Sequence, residues 1–265
     1  MYSKLTGLLK VDFKERTHLD EILFNVENLQ SKIKNNLILS DISCQIPAKQ
    51  VTTIIGSSGA GKSTFLRTLV RLIEFSGTIS FHNQVLKDID VKELRKKACY
   101  VPQIPEIFPG TVEENITWAR SIWKMSISKE FVENLLKTVD LDPSLISKNA
   151  SDLSVGQKQR VCLARSLALE PDVLLLDEPD SALDAISKEN FEKSIANLKT
   201  FNPNLSIIMV THDLRQANRM ADYVILLHKG KFIAQGSAEN IFATIDSYSE
   251  SDFLKSLING KNGGN

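Results

Sequence analysis

The sequence predicts an α/β fold built on a mostly parallel sheet, and three observations predict it. Short β-branched or all-apolar runs (VTTII at 51–55, DVLLL at 172–176, SIIMV at 206–210, DYVILL at 222–227) alternate with stretches whose apolar residues fall at helical spacing. Several of these runs are apolar throughout, the pattern of strands covered on both faces. With 265 residues, 42% of them hydrophobic and 24% charged, the chain can bury one large core with room for a sub-lobe.

Taken in order, residues 1–21 form an N-terminal extension. They mix Lys10, Asp12, Lys14, Glu15 and Arg16 into apolar positions and so lack the unbroken apolar core of a signal peptide. ILFNVENL (22–29) and LILSDISCQI (37–46) alternate apolar with polar residues and read as an antiparallel pair around the polar turn KIKNN, the start of an antiparallel β subdomain. VTTII is a strand, GSSGAGKST a glycine loop, and FLRTLVRLI a helix with Leu66, Leu69, Val70 and Ile73 on one face. GTISFHNQVL reads as a strand pair, ELRKKA as a short helix and CYVPQ as a strand running into a proline-bounded loop. Residues 113–148 are helix-rich with a loop signal at Asp142-Pro143, and an inserted α-helical subdomain is placed at 104–160.

A helix from Val155, the strand DVLLL, a helix over 187–199, the strand SIIMV, a helix over 213–220, the strands DYVILL and KFIAQG and a helical tail complete the pattern. The main domain is thus 22–245. Residues 246–265 form a C-terminal tail whose end, GKNGGN, is expected to be disordered. No internal repeat is visible.

Composition narrows the function. Lysine plus arginine equals aspartate plus glutamate at 32 each, so no bulk field draws the chain to nucleic acid or to an anionic membrane, and no nucleic-acid partner is expected. Cys44, Cys99 and Cys162 are far apart and flanked by apolar residues, which predicts reduced core thiols, not a disulfide frame or zinc site, and fits a cytoplasmic protein. No apolar run approaches the ~20 residues of a membrane helix.

Gly56, Ser57, Ser58, Gly59, Ala60, Gly61, Lys62 and Ser63, followed by Thr64, match G-x-x-x-x-G-K-[ST]. In such a loop the glycines let backbone N–H groups turn onto phosphate oxygens, Lys62 brings positive charge to the outer phosphates, and the Ser63 hydroxyl can hold Mg²⁺. The helix that follows adds its N-terminal dipole. The pattern alone arises by chance in roughly one chain in a hundred of this length, so the strand before it and the helix after it decide the reading.

Asp177 and Glu178 stand where the apolar strand DVLLLDE leaves the sheet, the edge at which open α/β sheets bind ligands. Beside a phosphate loop, an aspartate there completes a Mg²⁺ shell and the next glutamate polarises an attacking water. The plainer alternative is that both acids cap the EPD turn. Further back, Ser154 and Gln157 in SVGQ fit a capping box, with an apolar stripe of Val161, Ala164, Leu167 and Ala168 behind it. That is a well-capped helix in its own right. It is also an anion seat, because Gly156 lets a phosphate approach the exposed amides.

In these motifs the chain resembles the nucleotide-binding domain of ATP-binding cassette (ABC) transporters, a P-loop NTPase fold. The family signature LSGGQ is similar to LSVGQ at 153–157. The phosphate loop at 56–64, a Q-loop glutamine at Gln103, the acidic strand at 173–178, the D-loop SALD at 181–184 and a switch histidine at His212 stand in family order. The resemblance implies that ATP binds with Mg²⁺ held by Ser63, Gln103 and Asp177. It makes Glu178 the base, with Lys62, Gln103 and His212 around the γ-phosphate. It further implies that two copies meet head to tail, Ser154, Gly156 and Gln157 of one closing on the nucleotide of the other while Asp184 links the two sites. A separate membrane-spanning subunit would then dock on IPEIFPGTVEENI through an exposed Ile107 and Phe108, placing the chain at the cytoplasmic face of the membrane.

Three positions depart from the family pattern. Val155 replaces the first signature glycine and gives the phosphate seat a bulkier wall. Ile33 stands where an aromatic usually stacks on adenine; it covers a ring face without π contact, so weak base discrimination is expected, and a strong ATP-over-GTP preference in titrations would contradict it. Asp180 replaces a threonine or serine; the extra carboxylate either adds its charge to that of Asp177 and Glu178 or points into solvent, and a turn after proline favours solvent. Phosphate-importer-like and two-component metal-exporter-like subunits are the nearest types by resemblance. A soluble cassette ATPase of the iron–sulfur assembly type is similar in length and stays open as an alternative, while a P-loop kinase leaves the signature and His212 unexplained.

Overall fold

Two-residue turns fix the β framework. Lys34-Asn35, His82-Asn83 and Lys229-Gly230 all have positive φ, between 46° and 74°. That is the type I′ geometry whose twist matches paired strands, and it joins three hairpins: β1 (Ile22–Ile33) to β2 (Asn36–Pro47), β4 (Ser76–Phe81) to β5 (Gln84–Val85), and β9 (Tyr223–His228) to β10 (Lys231–Ser237). The polar run KIKNN is therefore a tight turn whose register pairs Ile33 with Asn36.

The computed structural model describes residues 21–247. The N-terminal extension assigned to 1–21 and the tail from 246, with its expected disorder, fall almost wholly outside them. The described residues divide into two units, one within 21–91 and 208–247 and the other within 92–207.

The first unit contains an antiparallel sheet in the order β2-β1-β4-β5. Along β2, Leu39, Ile42, Cys44 and Ile46 are buried while Leu37, Asp41 and Ser43 are exposed, the alternation of a sheet with one solvated face. Its other strands are β3 (Val51–Ile55), parallel to β9, and β10, antiparallel to β9. Every residue of β3 is buried, as a strand covered on both faces requires. After the glycine loop comes α1 (Lys62–Thr68), which ends earlier than its apolar stripe predicts. Arg71 takes φ 53°, its amide donates to the Thr68 carbonyl, and the Leu72 amide reaches back to the Arg67 carbonyl. This pair of bonds is a Schellman stop. The Arg71 guanidinium then donates to the carbonyls of Leu86 and Ile89, so the residue that ends the helix also ties down the next loop.

The second unit holds α2 (Val91–Lys97) from its second residue onward, then β6 (Ala98–Val101), α3 (Val112–Ile122), α4 (Lys129–Thr138), α5 (Val155–Leu167), β7 (Val173–Asp177) and α6 (Ala185–Phe201). β6 and β7 run parallel, with Tyr100 opposite Leu175 and Val101 opposite Leu176. The helices pack through Val112, Ile116, Val132, Leu136, Val161 and Ala164. A buried Arg120 joins three of them: it donates to the carbonyls of Ser126 and Ala168 and to Glu170 Oε1, and lies 4.2 Å from the Phe131 ring centre.

β8 (Ser206–Val210) carries the chain from the second unit back to the first, where α7 (Leu214–Met220) and α8 (Ala238–Ser247) follow. Ile55, Ala217, Val224, Leu226, Ile233, Ile241 and Phe242 form a core cluster there.

Candidate functional site

The glycine loop between β3 and α1 is shaped by its own backbone. Gly56 has φ 151°, and a Cβ on it would lie 2.1 Å from the Leu227 carbonyl oxygen, so no other residue fits. Gly59, at φ 73°, has nothing within 4 Å of where a Cβ would be, so the space beside it is open. Gly61, also left-handed, is the N-cap of α1. The Lys62 side chain is 5% exposed, and its Nζ donates to the carbonyls of Gly56 at 2.9 Å and Ser57 at 3.0 Å, so the ammonium lies across the loop. Ser57 and Thr64 are buried, Ser58 is exposed, and Ser63 is half-buried. Also in this unit, Ile33 ends β1 with 39% exposure, and His212 is exposed next to Thr211, whose amide donates to Ile54 of β3.

In the second unit the ends of β6 and β7 gather a cluster. Asp177 is 1% exposed, and the Tyr100 hydroxyl donates to its Oδ2 at 2.7 Å. Glu178 is half-buried with φ 44°, a left-handed backbone unusual for a non-glycine residue and of a kind that gathers at functional sites. Gln103 Nε2 donates to Ser181 Oγ at 3.0 Å and stands 3.5 Å from Glu178 Oε2, at the limit of a hydrogen bond. The turns after Glu178 are closed by the carbonyls of Glu178 and Asp180, which accept from Ser181 and Leu183. The main chain thus makes the EPD turn. Asp180, expected in solvent, is 6% exposed: the tight double turn folds its side chain inward.

Ser154 caps α5 as its spacing predicts. Its Oγ accepts from the Gln157 amide at 3.3 Å, and Gln157 Oε1 accepts from the Ser154 amide at 3.0 Å. Val155 is 49% exposed, whereas Gly156 is buried. A Cβ on Gly156 would meet Ser187 Oγ at 3.3 Å, and Ser187 in turn donates its amide and hydroxyl to Asp184, the N-cap of α6. The signature helix and the start of α6 therefore lie close together within one chain. The Ser187 amide, then its hydroxyl, hold the Asp184 carboxyl below the usual aspartate range.

The loop between β6 and α3 is pinned from two helices. Asn115 exchanges bonds with the Phe108 main chain, and Arg165 donates to the Glu106 carbonyl and lies 4.5 Å from the Phe108 ring centre. Phe108 is 36% exposed, as expected, but Ile107 is only half-buried, and Ile104, at 74%, is the more open apolar side chain. An open cavity of about 450 Å³ lies here, lined among others by Pro105, Ile107, Phe108, Asn149 and Lys158.

Tyr100 and Ser187 escape the sequence reading, and Ser181 enters it only as the first residue of SALD. Only Tyr100 carries a signal: a tyrosine in the short apolar strand ACYV needs a partner for its hydroxyl.

Residues 39–181, from β2 through the phosphate loop, the Q-loop and the signature to the acidic strand, match the ABC transporter family. The chain belongs to the ABC transporter family. Protein STAR1 of Oryza sativa subsp. japonica is 43% identical over 205 residues, 77% of this chain and 59% of that protein, so the chain spans less than two thirds of that relative's length. Phosphate import ATP-binding protein PstB of Campylobacter jejuni is 40% identical over 215 residues, 77% of this chain and 86% of its own length. Among solved ABC structures, cbiO1 of Clostridium perfringens, part of the ABC transporter complex cbiONQ, superposes with a TM-score of 0.76 at 28% identity, covering 88% of this chain and 95% of that one. Family membership implies that the chain binds nucleotide. Ser63 and Asp177, expected at Mg²⁺, both offer hard oxygen donors, which fits an ion that takes one or two protein oxygens and completes its shell with phosphate and water. No helix among the described residues is long and apolar enough to cross a membrane.

Proposed function

We propose that the chain is the ATP-hydrolysing subunit of an ABC transporter, working as a head-to-tail pair of copies beside a separate membrane-spanning subunit at the cytoplasmic face. The glycine loop with Lys62 and Thr64 binds the phosphates of ATP, and Ile33 covers the base. Ser154, Gly156 and Gln157 of the second copy close on the terminal phosphate. Glu178 orients the attacking water and takes its proton, Gln103 and His212 hold the water and the γ-phosphate, and Asp184 links the two sites. Ser63, Asp177 and Gln103 would hold Mg²⁺, which neutralises charge building on the phosphate oxygens. In this reading 22–245 is the ATPase domain and 104–160 its helical subdomain.

The observation that supports this best is the gathering of Gln103 and Glu178 around Ser181, with Glu178 in a strained backbone conformation. The loop at Ile104 and Phe108, with its adjoining cavity, suits docking of a membrane partner. The phosphate import named for the Campylobacter relative favours an importer-type partner over a soluble iron–sulfur assembly role. Glu178→Gln is expected to abolish turnover and to accumulate an ATP-bound dimer, read by phosphate release and by size-exclusion chromatography with ATP. Full turnover by this variant would remove Glu178 as the base. A chain that never co-purifies in detergent with a membrane protein encoded beside it would remove the transport reading.

A further inference from the structure

We propose that Tyr100 is a positioning residue for Asp177, fixing the rotation of its carboxylate so that a divalent ion meets one preset oxygen. This rests on the reading of Asp177 as a Mg²⁺ ligand. The parallel register sets Tyr100 opposite Leu175, and because side chains alternate along a strand, Asp177 lies on the same face as Leu175. The tyrosine thus reaches along the sheet to the last residue of β7, donating to Oδ2 at 2.7 Å, the distance of a hydrogen bond to a charged acceptor.

Two features make this bond consequential. Asp177 is 1% exposed, so water does little to orient or solvate its carboxylate, and each protein donor weighs more than at the surface. The last torsion of an aspartate is broad and nearly two-fold, so burial alone does not select which oxygen faces a ligand. A donor on a rigid ring, fixed to Oδ2, narrows that torsion and so presets how the carboxylate is turned toward the ion. Outer partners of ligating carboxylates act in this way, and their loss lowers metal affinity by about 10- to 100-fold.

The test is Tyr100→Phe in the full chain, with Mn²⁺ as a spectroscopic probe. Mn²⁺ affinity is measured by electron paramagnetic resonance at saturating ADP, ADP affinity is measured in EDTA, and the Tm is measured in EDTA. The expected result is a loss of about 10-fold or more in Mn²⁺ affinity with ADP affinity in EDTA unchanged. A lower Tm with wild-type Mn²⁺ affinity would overturn the proposal and leave the hydroxyl a stability element only. An equal loss of ADP affinity with and without metal would also overturn it. Asp177→Asn separates this from the underlying reading. If it loses Mn²⁺ binding while Tyr100→Phe does not, the positioning role alone falls; if it keeps wild-type Mn²⁺ affinity, both fall. A second measurement uses the wild-type sequence with 3-fluorotyrosine placed at position 100: its ¹⁹F resonance is expected to shift when Mg²⁺ is added to the ADP-saturated protein, and an unmoved resonance overturns the proposal even if the phenylalanine variant does not fold.

Discussion

Ser154→Asp separates the two roles assigned to the start of α5. In the free chain the Ser154 oxygen accepts from the Gln157 amide and the Gln157 side chain returns the bond. Ser154→Ala removes the acceptor and should cost about 1 kcal/mol, toward the low end because Ser154 is exposed and water replaces part of the bond. In a protein of this size that is a Tm lower by about 2–4 °C. Aspartate caps as well as serine, and its charge suits the helix N-terminus, so Ser154→Asp should melt at or slightly above the wild-type temperature. Against a γ-phosphate of the second copy, however, the same carboxylate brings like charges to ~4 Å. At an effective dielectric constant of about 20, each unit-charge pair then costs about 4 kcal/mol, or about a thousandfold in affinity. The expected outcome is a stable protein with no measurable turnover and, in the Glu178→Gln background, no ATP-driven dimer. Differential scanning fluorimetry, phosphate release and size-exclusion chromatography read the three quantities. Wild-type turnover by a normally melting Ser154→Asp protein would refute the placement of this helix start against a phosphate.

Two further predictions concern the free chain. Gly56→Ala should destabilise by more than about 3 kcal/mol because strain and a backbone clash add, whereas Gly59→Ala should cost about 1–2 kcal/mol, the left-handed backbone alone; urea midpoints that coincide would contradict the steric account. The thiols of Cys44 and Cys99 are pushed up to about 12 by burial, and that of Cys162 is also raised, chiefly by burial. All three should resist a thiol reagent at pH 8 until the chain unfolds. Because the folded values lie above the unfolded one, the stability these groups contribute is fully present below pH ~8.5. For Cys44 and Cys99 it falls between there and pH 12 by about 1.4 kcal/mol per unit for each thiol, so a melting temperature that holds steady from pH 8.5 to 10.5 would count against it.

Much of the site is legible in the sequence because its parts are local. The glycine loop, the Ser154–Gln157 capping box and the three type I′ turns are made by residues within a few positions of one another, so neighbouring side chains and backbone preferences spell them out. The stop of α1 is also local, yet its apolar stripe conceals it, since Leu69 and Val70 stay buried after the helix has begun to close. Asp180 misleads for a related reason: a carboxylate after proline reads as solvated, and only the packing of the turn decides its burial.

By itself the sequence determined which residues carry charge, which strands are buried on both faces, where helices are capped and that a nucleotide loop and an acidic strand end coexist. The tertiary structure decided which side chains meet. Tyr100 and Asp177 are 77 positions apart and touch because β6 and β7 pair in one register. Gln103 and Ser181, 78 apart, meet at the ends of the same two strands. A one-residue slip would turn Tyr100 to the opposite face, and the energy that prevents it is spread over the buried apolar residues of both strands. No motif encodes it.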